Sequence, residues 1–232
     1  MKIVSWNCHE AFYNKYKKFE DLDADIYVIS EIRNPLREGD EEYHEFAKNH
    51  IYMEYKSDSN YTPKGIAVIA KKDIKLENNN WKFKLSDDFL SVCVNDSFDL
   101  IAVWTHPPYI DHVIKYLRLH KEKFKSSDNL VMCGDFNVDI AKGSQNNKEV
   151  FPIILNNYGY KSIYHYLNEK DFDDDLQPTI YWKYDKDKPY HVDYLFTKPE
   201  IVSSFEIGTY EEYVKEENRL SDHVPLIFDI DV

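Results

Sequence analysis

Leu130-Val131-Met132-Cys133-Gly134-Asp135-Phe136-Asn137 begins as an apolar strand and ends in polar side chains. Leu130–Cys133 has the length and character of a strand interior. Asp135 and Asn137 follow through Gly134, so polar groups stand where the strand stops. The same interruption recurs along the chain. Asn7 closes Lys2–Trp6, Glu31 closes Ile26–Ser30, and His106 closes Leu100–Thr105. Toward the C-terminus the order reverses. His191 and Asp193 open the strand Val192–Phe196, and Ser221-Asp222-His223 opens Val224–Ile230.

In an antiparallel pair the start of one strand lies beside the end of its neighbour. Residues that close early strands and open late ones are therefore expected along one edge of a sheet, or of two packed sheets. That would gather Glu31, Asp135, Asp193 and Asp222 with Asn7, Asn137 and the histidines His106, His191 and His223. Carboxylates brought together disfavour one another's ionisation. A hard divalent cation relieves that repulsion. Oxygen donors of this kind suit Mg²⁺ or Mn²⁺, whereas zinc favours more His and Cys.

Each residue also has a plainer explanation. Asn7, Asp135 and Asp222 fit turns or caps, Glu31 a simple strand end, and His106 a loop before Pro107-Pro108. What sets them apart is that all occupy chain positions compatible with a single edge.

The rest of the sequence bounds the architecture. A chain of 232 residues with 43% hydrophobic and 16% aromatic content can build a substantial core. Further strand-like runs are Ile66–Ala70 and Phe89–Val94. Helical spacing links Phe12, Tyr16, Phe19 and Leu22; Ile110, Val113, Ile114, Leu117 and Phe124; and Val150, Ile153, Ile154 and Tyr158, with Pro152 near a first turn. Only six glycines occur, and no low-complexity linker is visible, so one domain over residues 1–232 is expected. Asp171–Asp175 reads as a solvated acidic loop.

No apolar run approaches the ~20 residues of a membrane span, so no membrane insertion is expected. Three scattered cysteines, Cys8, Cys93 and Cys133, do not make a disulfide framework, which fits a reducing cytoplasmic setting. The net charge of −13 argues against indiscriminate coating of duplex DNA. It leaves phosphoester chemistry open, since bound cations supply local positive charge.

Taken in order, Ser5-Trp6-Asn7, Ser30-Glu31, Trp104-Thr105-His106, Gly134-Asp135-Phe136-Asn137, His191-Val192-Asp193-Tyr194 and Ser221-Asp222-His223-Val224-Pro225 resemble the endonuclease/exonuclease/phosphatase (DNase I-like) superfamily. Gly-Asp-Phe-Asn and Ser-Asp-His-x-Pro are the most diagnostic pieces. The resemblance implies an α/β (α+β) four-layer sandwich, two packed mixed β-sheets flanked by helices, with the active site along one edge. It implies Glu31 as principal Mg²⁺ ligand, assisted by Asn7 and Asp222. Asp135 would orient or deprotonate the attacking water, and Asn137 would hold the phosphate. His223, oriented by Asp193, would contact the phosphate or move a proton, and His106 would donate to a phosphate oxygen. Two positions depart from the family pattern: Ser30 stands where many members have Gln, and His191 where many have Arg.

The expected activity is Mg²⁺-dependent hydrolysis of phosphodiester bonds, with nucleic acid or a nucleotide as the substrate and a monomer as the default assembly. A phosphatase or phosphodiesterase of a lipid headgroup or phosphorylated metabolite is the alternative. A non-catalytic binding module on the same fold is a third reading, disfavoured because the catalytic set has no gaps. Trp6, Trp104, Tyr109, Tyr181, Trp182, Tyr190 and Tyr194 are candidates for stacking on bases, though most suit core or wall packing. Lys64, Lys183, Lys186 and Lys188 are unspecific candidates for phosphate contacts, with ordinary surface lysine as the default reading.

Overall fold

The computed structural model describes every residue except 36, 38, 50, 58–63, 143, 145 and 175, so part of the acidic loop at Asp171–Asp175 lies outside the described residues. Along the chain run β1 (Lys2–Asn7), α1 (Tyr16–Glu20), β2 (Ile26–Arg33), α2 (Glu41–Asn49), β3 (Ile51–Ser57), β4 (Lys64–Lys71), β5 (Leu76–Asn78), β6 (Phe89–Val94) and β7 (Phe98–Trp104). Then come α3 (Ile110–Leu119), α4 (Lys121–Ser126), β8 (Leu130–Asp135), α5 (Phe151–Asn157), β9 (Lys161–Ser162) and α6 (Ile163–Leu167). The chain ends with β10 (Ile180–Tyr181), β11 (Pro189–Tyr190), β12 (Asp193–Thr197), β13 (Val202–Ile207), α7 (Tyr210–Tyr213) and β14 (Leu226–Ile230).

Two six-stranded mixed sheets result, ordered β13-β14-β1-β2-β4-β3 and β5-β6-β7-β8-β12-β9. Central strands covered on both faces need apolar residues on both, which is why they read as continuous hydrophobic runs. Alternate residues divide between two environments. Ile3, Val28 and Val68 of the first sheet meet Val92, Leu100, Val131 and Leu195 of the second in the shared core. The intervening Val4, Ile29 and Ile69 point outward under Phe12, Phe19 and Tyr43. On the far face of the second sheet, Val103, Met132 and Phe196 pack beneath Val113, Tyr116, Phe124 and Phe151. The layers are therefore helix, sheet, sheet, helix, the sandwich expected from the sequence.

Several boundaries differ from the sequence expectation. The helical pattern over 110–124 is two helices meeting at His120, and β2 does not end at Glu31. It runs on to Arg33 through an irregularity between Ser30 and Ile32, with Glu31 at φ 56°. A bulge of this kind re-aims one side chain without ending the strand. Ser221-Asp222-His223 forms a loop that precedes β14. The edge strand β13 escapes the hydrophobic pattern because Ser203, Ser204 and Glu206 are exposed.

Candidate active site

Strand direction gathers the polar ends. β1 and β2 are parallel, which sets Asn7 opposite Ser30, one residue from Glu31. β7 and β8 are parallel with Trp104 opposite Asp135, so His106 leaves the sheet on the same side as Asn137. β12 is antiparallel to β8, and Asp193 at its start faces Asp135 at the other's end. β14 is antiparallel to β1, which returns the Ser221–His223 loop to the end of β1. There Ser221 Oγ donates to Asn7 O at 2.8 Å and accepts from His223 N at 3.1 Å, while Trp6 Nε1 donates to His223 O at 3.0 Å.

Gly134 is required by this convergence. Its φ is +143°, and a Cβ there would lie 2.0 Å from Val103 O. No side chain fits between β7 and β8 immediately before Asp135.

The carboxylates are held by directed contacts. Asn7 Nδ2 donates to Asp135 Oδ2 at 2.8 Å and to Glu31 Oε1 at 3.1 Å, joining the irregularity in β2 to the end of β8. Asp135 is fully buried and also accepts from Asn137 N at 2.7 Å through Oδ1. Burial raises the Asp135 carboxyl above the ordinary range, with Asp193 adding to the rise and His223 opposing it. His223 is buried too, its Nδ1 2.9 Å from Asp193 Oδ2 and its Nε2 4.0 Å from Asp135 Oδ2. Burial opposes the imidazolium, but Asp193, Asp135 and Asp222 outweigh it and hold His223 well above the usual histidine range. Asp193, Asp135 and Asp222 thus favour the charged form of His223, whose Nε2 is directed toward Asp135.

Glu31 and Asp222 flank this centre. Glu31 Oε2 pairs with Lys64 Nζ at 2.8 Å, and Lys64 also pairs with Glu10 Oε1 at 2.6 Å. His9 Nδ1 lies 3.1 Å from Asp222 Oδ1, yet that buried oxygen receives no hydrogen bond of sound geometry. Burial works to raise the Asp222 carboxyl, and His9 and His223 overcome it and bring it below the ordinary carboxylate range. The under-coordinated Asp222 oxygen, the Glu31 carboxylate and the Asn7 amide, whose Oδ1 accepts from His9 N at 2.9 Å, are oxygen donors of the kind that could hold Mg²⁺ or Mn²⁺. The tightest grouping among the described residues is different: Asp135, Asp193 and His223 offer ligand atoms within 4.8 Å of one another. In that trio His223 Nδ1 is already paired with Asp193 Oδ2, and the surrounding acids favour the charged ring, which disfavours direct ligation of a metal there.

His106 lies on the same rim with a support the sequence reading missed. Its Nδ1 is 2.9 Å from Asp88 Oδ1, and His112 Nδ1 is 2.7 Å from Asp88 Oδ2. Asp88 is fully buried between the two rings. Burial would raise its carboxyl, but His106 and His112 bring it below the ordinary range. Asp88 precedes a strand just as Asp193 opens one, so the pattern that found Asp193 also contained Asp88. Asn137, at φ 50°, donates from Nδ2 to Thr105 O at 3.1 Å. Thr105 in turn donates through its hydroxyl to Phe136 O.

The proposed aromatic and basic contacts divide. Trp6 and Tyr194 are core residues, Trp6 stacking on Phe19 with ring centroids 4.1 Å apart. Trp104 is buried behind His106. Trp182 and Tyr190 are exposed and line a cleft of about 490 Å³ that reaches Asn137, with Lys142 and Lys188 on its walls. Lys186 pairs with Glu211 and lies beyond this cleft's lining. His191 is buried and bonds through Nδ1 to Gln177 O at 2.6 Å, so that nitrogen is committed to the backbone. Among the described residues, no helix is long and apolar enough to cross a membrane.

No protein-family model matches the chain, and no curated protein matches it in sequence. Solved structures do match in shape. A 3' phosphatase, NExo, from Neisseria bound to a product DNA hairpin superposes with a TM-score of 0.71 at 15% identity, covering 100% of both chains. An AP endonuclease from Archaeoglobus fulgidus gives 0.70 at 15% identity, again over 100% of both chains. An endonuclease/exonuclease/phosphatase family protein from Leptotrichia buccalis gives 0.65 at 17% identity over 100% of both. The chain has the DNase I-like fold of the endonuclease/exonuclease/phosphatase structures.

Proposed function

We propose that this chain, with its DNase I-like fold, is a divalent-metal-dependent hydrolase of phosphodiester bonds in nucleic acid or a nucleotide. The observation that carries the reading is the convergence of a buried Asp193–His223 pair, a buried Asp135 and the Asn7–Glu31 contact at one edge of two sheets. Grouped buried carboxyls cost stability, and clusters of perturbed titratable groups mark functional sites. The nucleic-acid preference is supported by the fold's likeness to NExo bound to a product DNA hairpin, and by the aromatic, lysine-walled cleft beside Asn137.

Glu31, Asn7 and Asp222 would hold Mg²⁺, for which Mn²⁺ is an expected substitute. The bound ion would screen the non-bridging phosphate oxygens. Asp135 takes the proton of the attacking water as its oxygen bonds to phosphorus. The bond to the leaving oxygen breaks, and His223, kept charged and oriented by Asp193, gives that oxygen a proton. His106, braced by Asp88, and Asn137 donate hydrogen bonds to phosphate oxygens as charge develops.

The test is a substrate panel with Mg²⁺ or Mn²⁺: single-stranded, duplex and abasic DNA, RNA, cyclic dinucleotides, phosphoinositides and sphingomyelin, with Glu31→Ala and His223→Ala alongside. Nucleic-acid cleavage lost in both variants supports the proposal. Release of a lipid headgroup or inorganic phosphate alone moves the activity to another ester, and binding without turnover overturns it.

A further inference from the structure

We infer that Thr179 is the positioning residue of the Asp193–His223 pair, an inference that rests on the catalytic reading of that pair. Thr179 is fully buried in Gln177-Pro178-Thr179-Ile180, behind the cleft wall to which its neighbours Ile180, Tyr190 and Val192 belong. Its hydroxyl oxygen accepts two backbone hydrogen bonds, from Val192 N at 2.9 Å and from Asp193 N at 3.0 Å. Its own backbone completes a bracket. Thr179 N donates to Tyr190 O at 2.9 Å, and Thr179 O accepts from Val224 N at 2.9 Å. The next residues extend the hold: Ile180 forms an isolated bridge with His223, and Tyr181 N donates to Asp222 O at 2.8 Å.

One side chain therefore fixes the backbone of Asp193, while the same residue's carbonyl fixes the backbone beside His223. The two catalytic partners sit on separate segments, and Thr179 sets the distance between them. The hydroxyl is the part that matters. Val192 precedes β12 and Asp193 opens it, both amides turn toward Thr179, and a buried amide without an acceptor shifts to find one. Valine keeps the shape of threonine but removes the acceptor. Serine keeps the acceptor and loses only a methyl group.

Thr179→Val and Thr179→Ser are compared in the full chain by two readouts. The first is steady-state hydrolysis of a single-stranded oligonucleotide with Mg²⁺. Thr179→Val is expected to lower kcat roughly 10- to 100-fold, as small misplacements of a catalytic group do, with KM and Mg²⁺ requirement within about twofold of wild type. Thr179→Ser is expected to restore most of the kcat. The second readout needs no activity: the downfield proton NMR signal of the hydrogen-bonded His223 Nδ1, assigned by its loss in His223→Ala. It should be present in wild type and Thr179→Ser and be broadened or absent in Thr179→Val. If Thr179→Val does not fold, Thr179→Ala, which leaves room for water, takes its place. A Thr179→Val protein that keeps both the signal and the turnover overturns the inference, as does a serine variant as impaired as the valine one. If wild-type protein hydrolyses no phosphodiester, the catalytic reading fails, and the NMR signal alone still decides whether Thr179 positions His223.

Discussion

Asp193 Oδ2 and His223 Nδ1 lie 2.9 Å apart in a buried pair that joins the start of β12 to the loop before β14. The contact fixes the imidazole tautomer and leaves Nε2 facing Asp135. Asp193→Asn keeps the size of the side chain but removes the charge that favours imidazolium. It is expected to lower kcat by about 10²-fold or more, with little change in KM, as measured by steady-state kinetics.

Glu31 and His223 should separate by metal dependence. Glu31→Gln is expected to raise the Mg²⁺ concentration for half-maximal rate, read from a metal titration. His223→Ala should lower turnover at every Mg²⁺ concentration and leave that midpoint nearly unchanged. Equal losses in both variants, insensitive to Mg²⁺, would contradict the division of roles.

Asp88 makes the His106 side of the site testable through stability. Its carboxyl is depressed in the fold, because His106 and His112 overcome the effect of burial. The depressed acid stabilises the fold above the ordinary carboxylate range, and that contribution is lost as pH falls through its folded value. Asp88→Asn should therefore show a flatter loss of stability than wild type below about pH 4 in urea titrations. It should also lower turnover at neutral pH, where stability is ample, because His106 loses its brace.

His165 gives a pH effect of separate origin. It is buried with Nδ1 2.7 Å from Ser162 Oγ and Nε2 unpartnered, and burial pushes its imidazole down to about 3, with His191 adding to the shift. The unfolded chain takes up this proton below about pH 6.5 and the folded chain does not. Stability should therefore rise with pH between about 3 and 6.5. Replacing the ring by His165→Asn should reduce that slope, as read from denaturation midpoints at pH 4.5 and 7. An unchanged slope would show that His165 is protonated in the folded state.

Much of the sheet framework was legible because both faces of its central strands are apolar. Phe89–Val94 matches its expected span, and the ends of β1, β8 and β12 fall within two residues of theirs. The site was legible for a related reason: Asn7, Asp135 and Asp193 interrupt those strands, and the strand directions bring them together. Glu31 was found but its setting was not, since a bulge depends on how β2 and β4 pair rather than on local pattern. Asp88 and Thr179 escaped because each sits in a polar stretch before a short strand, with nothing local to show that it is fully buried. In sequence Lys64 is an unspecific candidate for a phosphate contact, with surface lysine as the default; its ammonium bridges Glu10 and Glu31, which only the fold could bring together.

Cleavage of a fluorescent single-stranded oligonucleotide, followed in Mg²⁺ and then in excess chelator, with Asp135→Ala in parallel, probes the gathered edge most directly. Wild-type protein should cut in Mg²⁺, stop when the ion is removed and resume when it is restored, while the variant should be slowed at least about 10²-fold under the same conditions. Cutting that persists in chelator, or a folded Asp135→Ala protein that works at the wild-type rate, would mean the gathered acids do not carry out the chemistry.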